Sequence, residues 1–135
     1  MPVDALTQLQ AAVTKTATFN GAALPLPGGT PRYGLWARVI FSAANQASGS
    51  GVWTFSVDVC YDGVPTTWRS DFVADPPITL SATAQAGVIY IPFNVQPTIV
   101  GGVITAPQIR LTATLSGAPT TPTITYSGDI MVAKP

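Results

Sequence analysis

Between Gly51 and Gly63 the chain alternates with period two. Trp53, Phe55, Val57, Val59 and Tyr61 are large and apolar, and Thr54, Ser56, Asp58 and Cys60 between them are small or polar. Alternation sustained in this way marks a β-strand with one buried face. Asp62-Gly63 follows as a turn dipeptide. The pattern predicts a strand at the centre of an all-β domain, with the five large residues in its core.

The same reading applies on both sides of it. Tyr33 to Ser42 sets Leu35, Ala37, Val39 and Phe41 on one face and Trp36, Arg38 and Ile40 on the other. That second face is not purely polar, so some cover over it is expected. Gln108 to Leu115 sets Ile109, Leu111, Ala113 and Leu115 inward and Arg110, Thr112 and Thr114 outward. Shorter alternations predict strands at Val13–Phe19, Thr66–Val73, Ile78–Thr83, Val88–Val95 and Thr123–Val132, with Trp68 as an anchor in the second of these. Pro92 predicts an edge or a bulge in its strand, because proline cannot donate to a ladder. Gly128 predicts a bulge or bend in the last one.

Prolines and glycines gather between these segments. Leu24 to Pro31 cannot be regular structure and predicts a loop of about ten residues, long enough to be a contact element. Gln85-Ala86-Gly87 predicts a turn, and Gln96-Pro97 with Gly101-Gly102 predicts a mobile connection. Residues 1–12 precede the first strand. Leu6, Leu9 and Val13 lie at helical spacing after Asp4 as a candidate cap, which predicts a short N-terminal arm or helical turn. Residues 13–135 then form a single domain. About eight strands at spacings of about ten to fifteen residues, with no long helix, predict a two-sheet β-sandwich of jelly-roll or Greek-key type.

Charge changes the picture next. Only 9% of the residues are charged, against roughly 25% in typical soluble domains. Six Lys+Arg balance six acids, every acid is Asp, and there is no His. Arg32, Arg38, Arg69 and Arg110 are scattered, which argues against a nucleic-acid surface. A near-neutral domain tends to associate, and its lightly charged edge strands are prone to pairing. Burial in an assembly is one way to protect them.

The chemistry of catalysis is thin. Without His, a Ser-His-Asp triad is impossible and the commonest metal ligand is missing. Cys60 stands alone and mid-strand, so it reads as a buried inert thiol, and no internal disulfide can form. Asp58, Asp62, Asp71 and Asp75 could be read as a calcium site, but Asp62-Gly63 and Asp75-Pro76 are ordinary turn pairs. No Gly-rich loop precedes a helix. The expectation is a protein that is not an enzyme and needs no cofactor. No leader-like N-terminus and no long apolar run are present, so cytoplasmic synthesis and no membrane contact are expected.

Trp36, Trp53 and Trp68 offer one more possibility, a flat platform for sugars. Trp53 is in register with the core, and Trp36 lies on the face opposite Leu35 and Phe41. An exposed Trp serves a subunit contact as well as a sugar.

Val52-Trp53-Thr54-Phe55-Ser56-Val57, running into Asp62-Gly63 and then Trp68, resembles the strand–turn–strand unit of the β-sandwich decoration (cement) proteins of tailed-bacteriophage heads. The resemblance covers about residues 51–70 closely. It implies a structural virion protein, often trimeric, bound to the capsid exterior through the major capsid protein and copies of itself, with no catalysis. The contact residues expected on that reading are Val3, Leu6 and Leu9 in the arm, Leu24 and Leu26 in the Pro-rich loop, and Trp36. The alternative is a carbohydrate-binding module, for example in a phage tail or fibre, that uses an exposed Trp36 or Trp68.

Overall fold

The structure is a computed structural model that describes residues 8–25, 34–60, 67–95, 98–100, 103–105 and 107–131. Among them the chain is all β-strand and turn. In order the strands are β1 (Gln8–Lys15), β2 (Phe19–Asn20), β3 (Leu24–Pro25), β4 (Leu35–Asn45), β5 (Ser48–Gly49), β6 (Val52–Cys60) and β7 (Arg69–Val73). They continue as β8 (Ile78–Thr79), β9 (Gln85–Phe93), β10 (Thr98–Val100), β11 (Val103–Thr105), β12 (Gln108–Ser116), β13 (Pro119–Thr120) and β14 (Thr123–Met131).

Two antiparallel sheets make the sandwich. The first runs β1-β14-β4-β9, and the second runs β2-β12-β6-β7, with β3 also on β12 and β8 also on β6. The small pairs β10–β11 and β13–β5 lie outside them. The chain crosses between the sheets after β1, β3, β4, β8, β9 and β12, so most neighbours in a sheet are distant in sequence.

Each sheet buries the face that its alternation marks. Trp53, Phe55, Val57 and Val59 of β6, with Ile109, Leu111 and Ala113 of β12, meet Leu35, Ala37, Val39 and Phe41 of β4 and Tyr126 of β14. Phe55 and Tyr126 touch edge to face across the layers, with ring centroids 4.9 Å apart. Phe72 and Phe93 do the same at 6.3 Å. Rings in this geometry add roughly 0.5–1.5 kcal/mol beyond the area they bury. The sheets pack closely at Gly128, where a Cβ would lie 2.8 Å from Leu111 Cδ2. That glycine is there for packing. The strand β14 runs straight through it, and the expected irregularity lies opposite, on β1.

Several expectations change. Residues 8–12, expected in the N-terminal arm, belong instead to β1, which begins at Gln8 and pairs with β14; the rest of the expected arm lies outside the described residues. Leu9 is only 2% exposed and belongs to the core, so it is a packing residue and not an outer contact. The helical spacing of Leu6, Leu9 and Val13 misled because β1 is interrupted twice. Its register shifts between Gln8 and Gln10 and again between Gln10 and Val13. The strand expected at Val13–Phe19 is two pieces in different sheets. Ile78–Thr83 is a strand only at Ile78–Thr79.

Gln85-Ala86-Gly87 is the start of β9, not a turn. Gly87 lies over the Phe41 ring, whose Cε1 and Cζ would stand 3.2 Å from an added Cβ. Close packing, not a turn, calls for glycine there. β9 is an edge strand, as Pro92 indicated. The stretch expected to be a mobile connection contains paired strands, with Val100 opposite Val103.

Between β4 and β6 the buried Gln46 holds the crossover. Its Nε2 donates to Gly49 O at 2.8 Å and Leu80 O at 3.1 Å, and its Oε1 accepts from Gly51 N at 2.8 Å.

Leu9→Ala is expected to cost about 2–4 kcal/mol in urea unfolding, as a buried leucine does. A loss below about 0.5 kcal/mol would return Leu9 to the surface.

Candidate functional site

Two surfaces collect the side chains with chemical potential. The first is the outer face of the β12-β6-β7 sheet. From Phe55 to Cys60 every position of β6 is buried, the polar ones included: Ser56 is 6% exposed and Asp58 is 1% exposed. A buried carboxylate must be paired and hydrogen-bonded to survive there. Asp58 is both. Its Oδ1 accepts from Ser56 Oγ at 2.9 Å and Ser70 Oγ at 2.8 Å. Its Oδ2 accepts from Thr112 Oγ1 at 2.6 Å and Arg110 Nε at 3.1 Å. The Arg110 guanidinium in turn lies 4.2 Å from the centroid of the Trp68 ring, in cation–π contact.

This cluster looks like a site and is built like a clamp. Four donors occupy the two oxygens of Asp58, which leaves it no lone pair directed at a substrate or an ion. Asp71 pairs instead with the exposed Arg69 at 3.2 Å, and Asp75 is exposed beside Pro76. Among the described residues no three side chains of metal-binding type converge. Trp68 has one ring face covered by Arg110, and Trp53 is fully buried.

The second surface is the outer face of the β1-β14-β4-β9 sheet. Register places Trp36 opposite Pro92, Arg38 opposite Tyr90 and Ile40 opposite Val88. On the other side of β4, Met131, Asp129 and Ser127 face the same three residues. Arg38 and Asp129 form an ion pair across the strands, with Nε 3.1 Å from Oδ2, so the two charges cancel on the face. Around that pair the surface is apolar toward β9: Ile40 is 45% exposed, Val88 50% and Tyr90 37%. Toward β1 it is hydroxylic, with Thr14 bonded to Thr125 at 2.8 Å. Three of the four exposed large hydrophobics among the described residues lie here; Val73 on β7 is the fourth.

Two hollows border this face. One, of about 350 Å³, lies at Trp36, Phe72, Pro92 and Phe93. The other, of about 550 Å³, runs between β9 and the segment Asp75–Thr79, and Phe41 and Gly87 form part of its wall.

Of the expected contact residues, Trp36 is half-buried on this outer face. Leu24 is half-buried in β3, opposite Ile109, and packs on the core. Leu9 is core. Val3, Leu6 and Leu26 lie outside the described residues, as do Tyr61 and Asp62-Gly63. Sequence reading noted Ile40 but missed Val88 and Tyr90 as its neighbours. The available signal was the alternation Ala86, Val88, Tyr90, Pro92, hidden by reading the first residues of β9 as a turn.

No protein-family model matches the chain, and no curated protein matches it in sequence.

Two predictions follow from the buried groups. Asp58→Ala strands Arg110 and three hydroxyls and is expected to cost about 3–5 kcal/mol; a change under about 1 kcal/mol would show that the clamp is not formed. Tyr126 Oη has no hydrogen-bond partner in the core, and burial pushes its hydroxyl up from 10.0 to about 12. The folded state therefore favours the neutral phenol. Its contribution is complete below pH 10 and is lost as pH rises toward 12. Tyr126→Phe should leave stability at pH 7 unchanged or raise it by up to about 1 kcal/mol, and should flatten the loss between pH 10 and pH 12. A large loss at pH 7 would mean that the hydroxyl has a partner.

Proposed function

We propose that this protein is a non-enzymatic structural component of a phage particle, a decoration protein that binds the outer surface of the head through the major capsid protein and through copies of itself. The observation that carries the reading is the outer face of the β1-β14-β4-β9 sheet. It presents Ile40, Val88 and Tyr90 beside Trp36, and its one ion pair is internally neutral. Such a face suits a flat, uncharged protein surface. Buried apolar area contributes about 25 cal/mol per Å² before the cost of association is subtracted.

The arrangement of polar groups supports the same reading. Each described arginine is paired with an aspartate: Arg38 with Asp129, Arg69 with Asp71 and Arg110 with Asp58. The buried carboxylate is saturated by neighbours and serves the fold. The alternative, a carbohydrate-binding module, needs a flat aromatic ring open to a sugar. Arg110 lies over Trp68, and Trp36 is half-buried in the row Met131–Trp36–Pro92, so the structure favours protein contact.

The expected result is that mass spectrometry of purified particles finds the chain at hundreds of copies, and that Ile40→Glu, a change at a half-exposed position, releases it from particles while the circular dichroism of the free protein is unchanged. Absence from particles would remove the virion role. A few copies per particle would move it to a tail or fibre. A tryptophan fluorescence response to glycans would favour the sugar-binding reading.

A further inference from the structure

The free edge of β9 has a chemistry of its own. Among the described strands β9 pairs with β4 alone. Pro92 has no N–H, so its pair with Trp36 must be of the non-hydrogen-bonded kind. That fixes the phase of the whole strand. Gly87, Ile89 and Ile91 direct their backbone groups to β4, and Ala86, Val88 and Tyr90 direct theirs to the open side. The edge carries no charge over its nine residues, Gln85 to Phe93. It lacks the lysines that usually keep such an edge from pairing. Pro92 blunts it at one end, and at the other the Gln85 side chain is engaged, donating from Nε2 to Thr79 O at 2.7 Å. Between these ends lie three residues whose backbone groups are open.

We propose that a second copy of this chain pairs with that edge about a two-fold axis, antiparallel, with Val88 opposite Val88. Three features select this occupant and this register. The edge is neutral, so it meets its own copy without repulsion. Centring on Val88 sets Ala86 opposite Tyr90 twice, so all three open residues of each copy are hydrogen-bonded and Pro92 falls beyond the ladder. A register centred on Ile89 would instead oppose Pro92 to Ala86 and leave bonds unmade. Last, centring on Val88 sets Gly87 of each copy opposite Ile89 of the other. A residue with a branched side chain then faces one with none, beside the groove that Phe41, Gly87 and Ile89 line. The two four-stranded sheets become one continuous sheet, and the patches at Ile40, Val88 and Tyr90 join across the axis.

The pairing stands on the edge itself and does not require the particle role. Light scattering on the purified chain should give 28 kDa, twice the 14.0 kDa of the protomer. Val88→Lys puts two like charges in opposition and should weaken association at least about tenfold, with circular dichroism unchanged. Val88→Cys should form a disulfide-linked pair under mild oxidation. Directly opposed, hydrogen-bonded residues sit with Cα atoms about 5.5 Å apart, within disulfide reach. Val73→Cys, at a position of similar exposure on β7 (51% against 50%), should not cross-link, and the native Cys60 is buried. A monomer at about 100 μM, a larger oligomer unaffected by Val88→Lys, or equal cross-linking at both cysteines would overturn the proposal. A pair that forms in solution with no chain on particles would leave it standing and remove only the virion role.

Discussion

Everything in this fold answers to the burial of β6 on both faces. One face meets the opposite sheet and needs only apolar volume. The other carries Ser56, Asp58 and Cys60 into an environment nearly as dry, and there a carboxylate is tolerable only with donors in place. Those donors come from three strands: Ser56 on β6 itself, Ser70 on β7, and Arg110 and Thr112 on β12. A slip of one residue would turn Asp58 into the sandwich interior. The charge thus ties three strands to one alignment. Replacing such a cluster by apolar residues is often neutral or favourable in energy, so its value here is in excluding other registers.

The core face was legible because alternation is a direct record of the pleat. Trp53, Phe55, Val57 and Val59 on β6, and Ile109, Leu111 and Ala113 on β12, fall where period two places them. The edge position of β9 was legible from Pro92, because a missing N–H restricts where a residue can sit. What was not legible depends on contacts distant in sequence. Asp58 looks solvent-facing until β7 and β12 are laid beside it, fifty-two residues separating it from Arg110. Gly87 has the look of a turn residue until Phe41 arrives from another strand. Leu9 sits in a strand whose interruptions mimic helical spacing.

The surface follows from the same economy of charge. A chain with 9% charged residues cannot spread them for solubility, and those described are largely spent on one another. What remains outside is hydroxyl and hydrocarbon, divided across one sheet with the hydroxyls toward β1 and the hydrocarbon toward β9. Such a face would discriminate among partners by shape more than by field, and contacts made on it would depend little on ionic strength.

The two register shifts in β1 have a bearing on growth. A strand broken twice cannot template a regular ladder along its free side, so the β1-β14-β4-β9 sheet has one edge fit for extension and one spoiled. Addition at β9 would use up the fit edge and leave spoiled ones at both outer limits. A sheet so made would double without propagating further along itself.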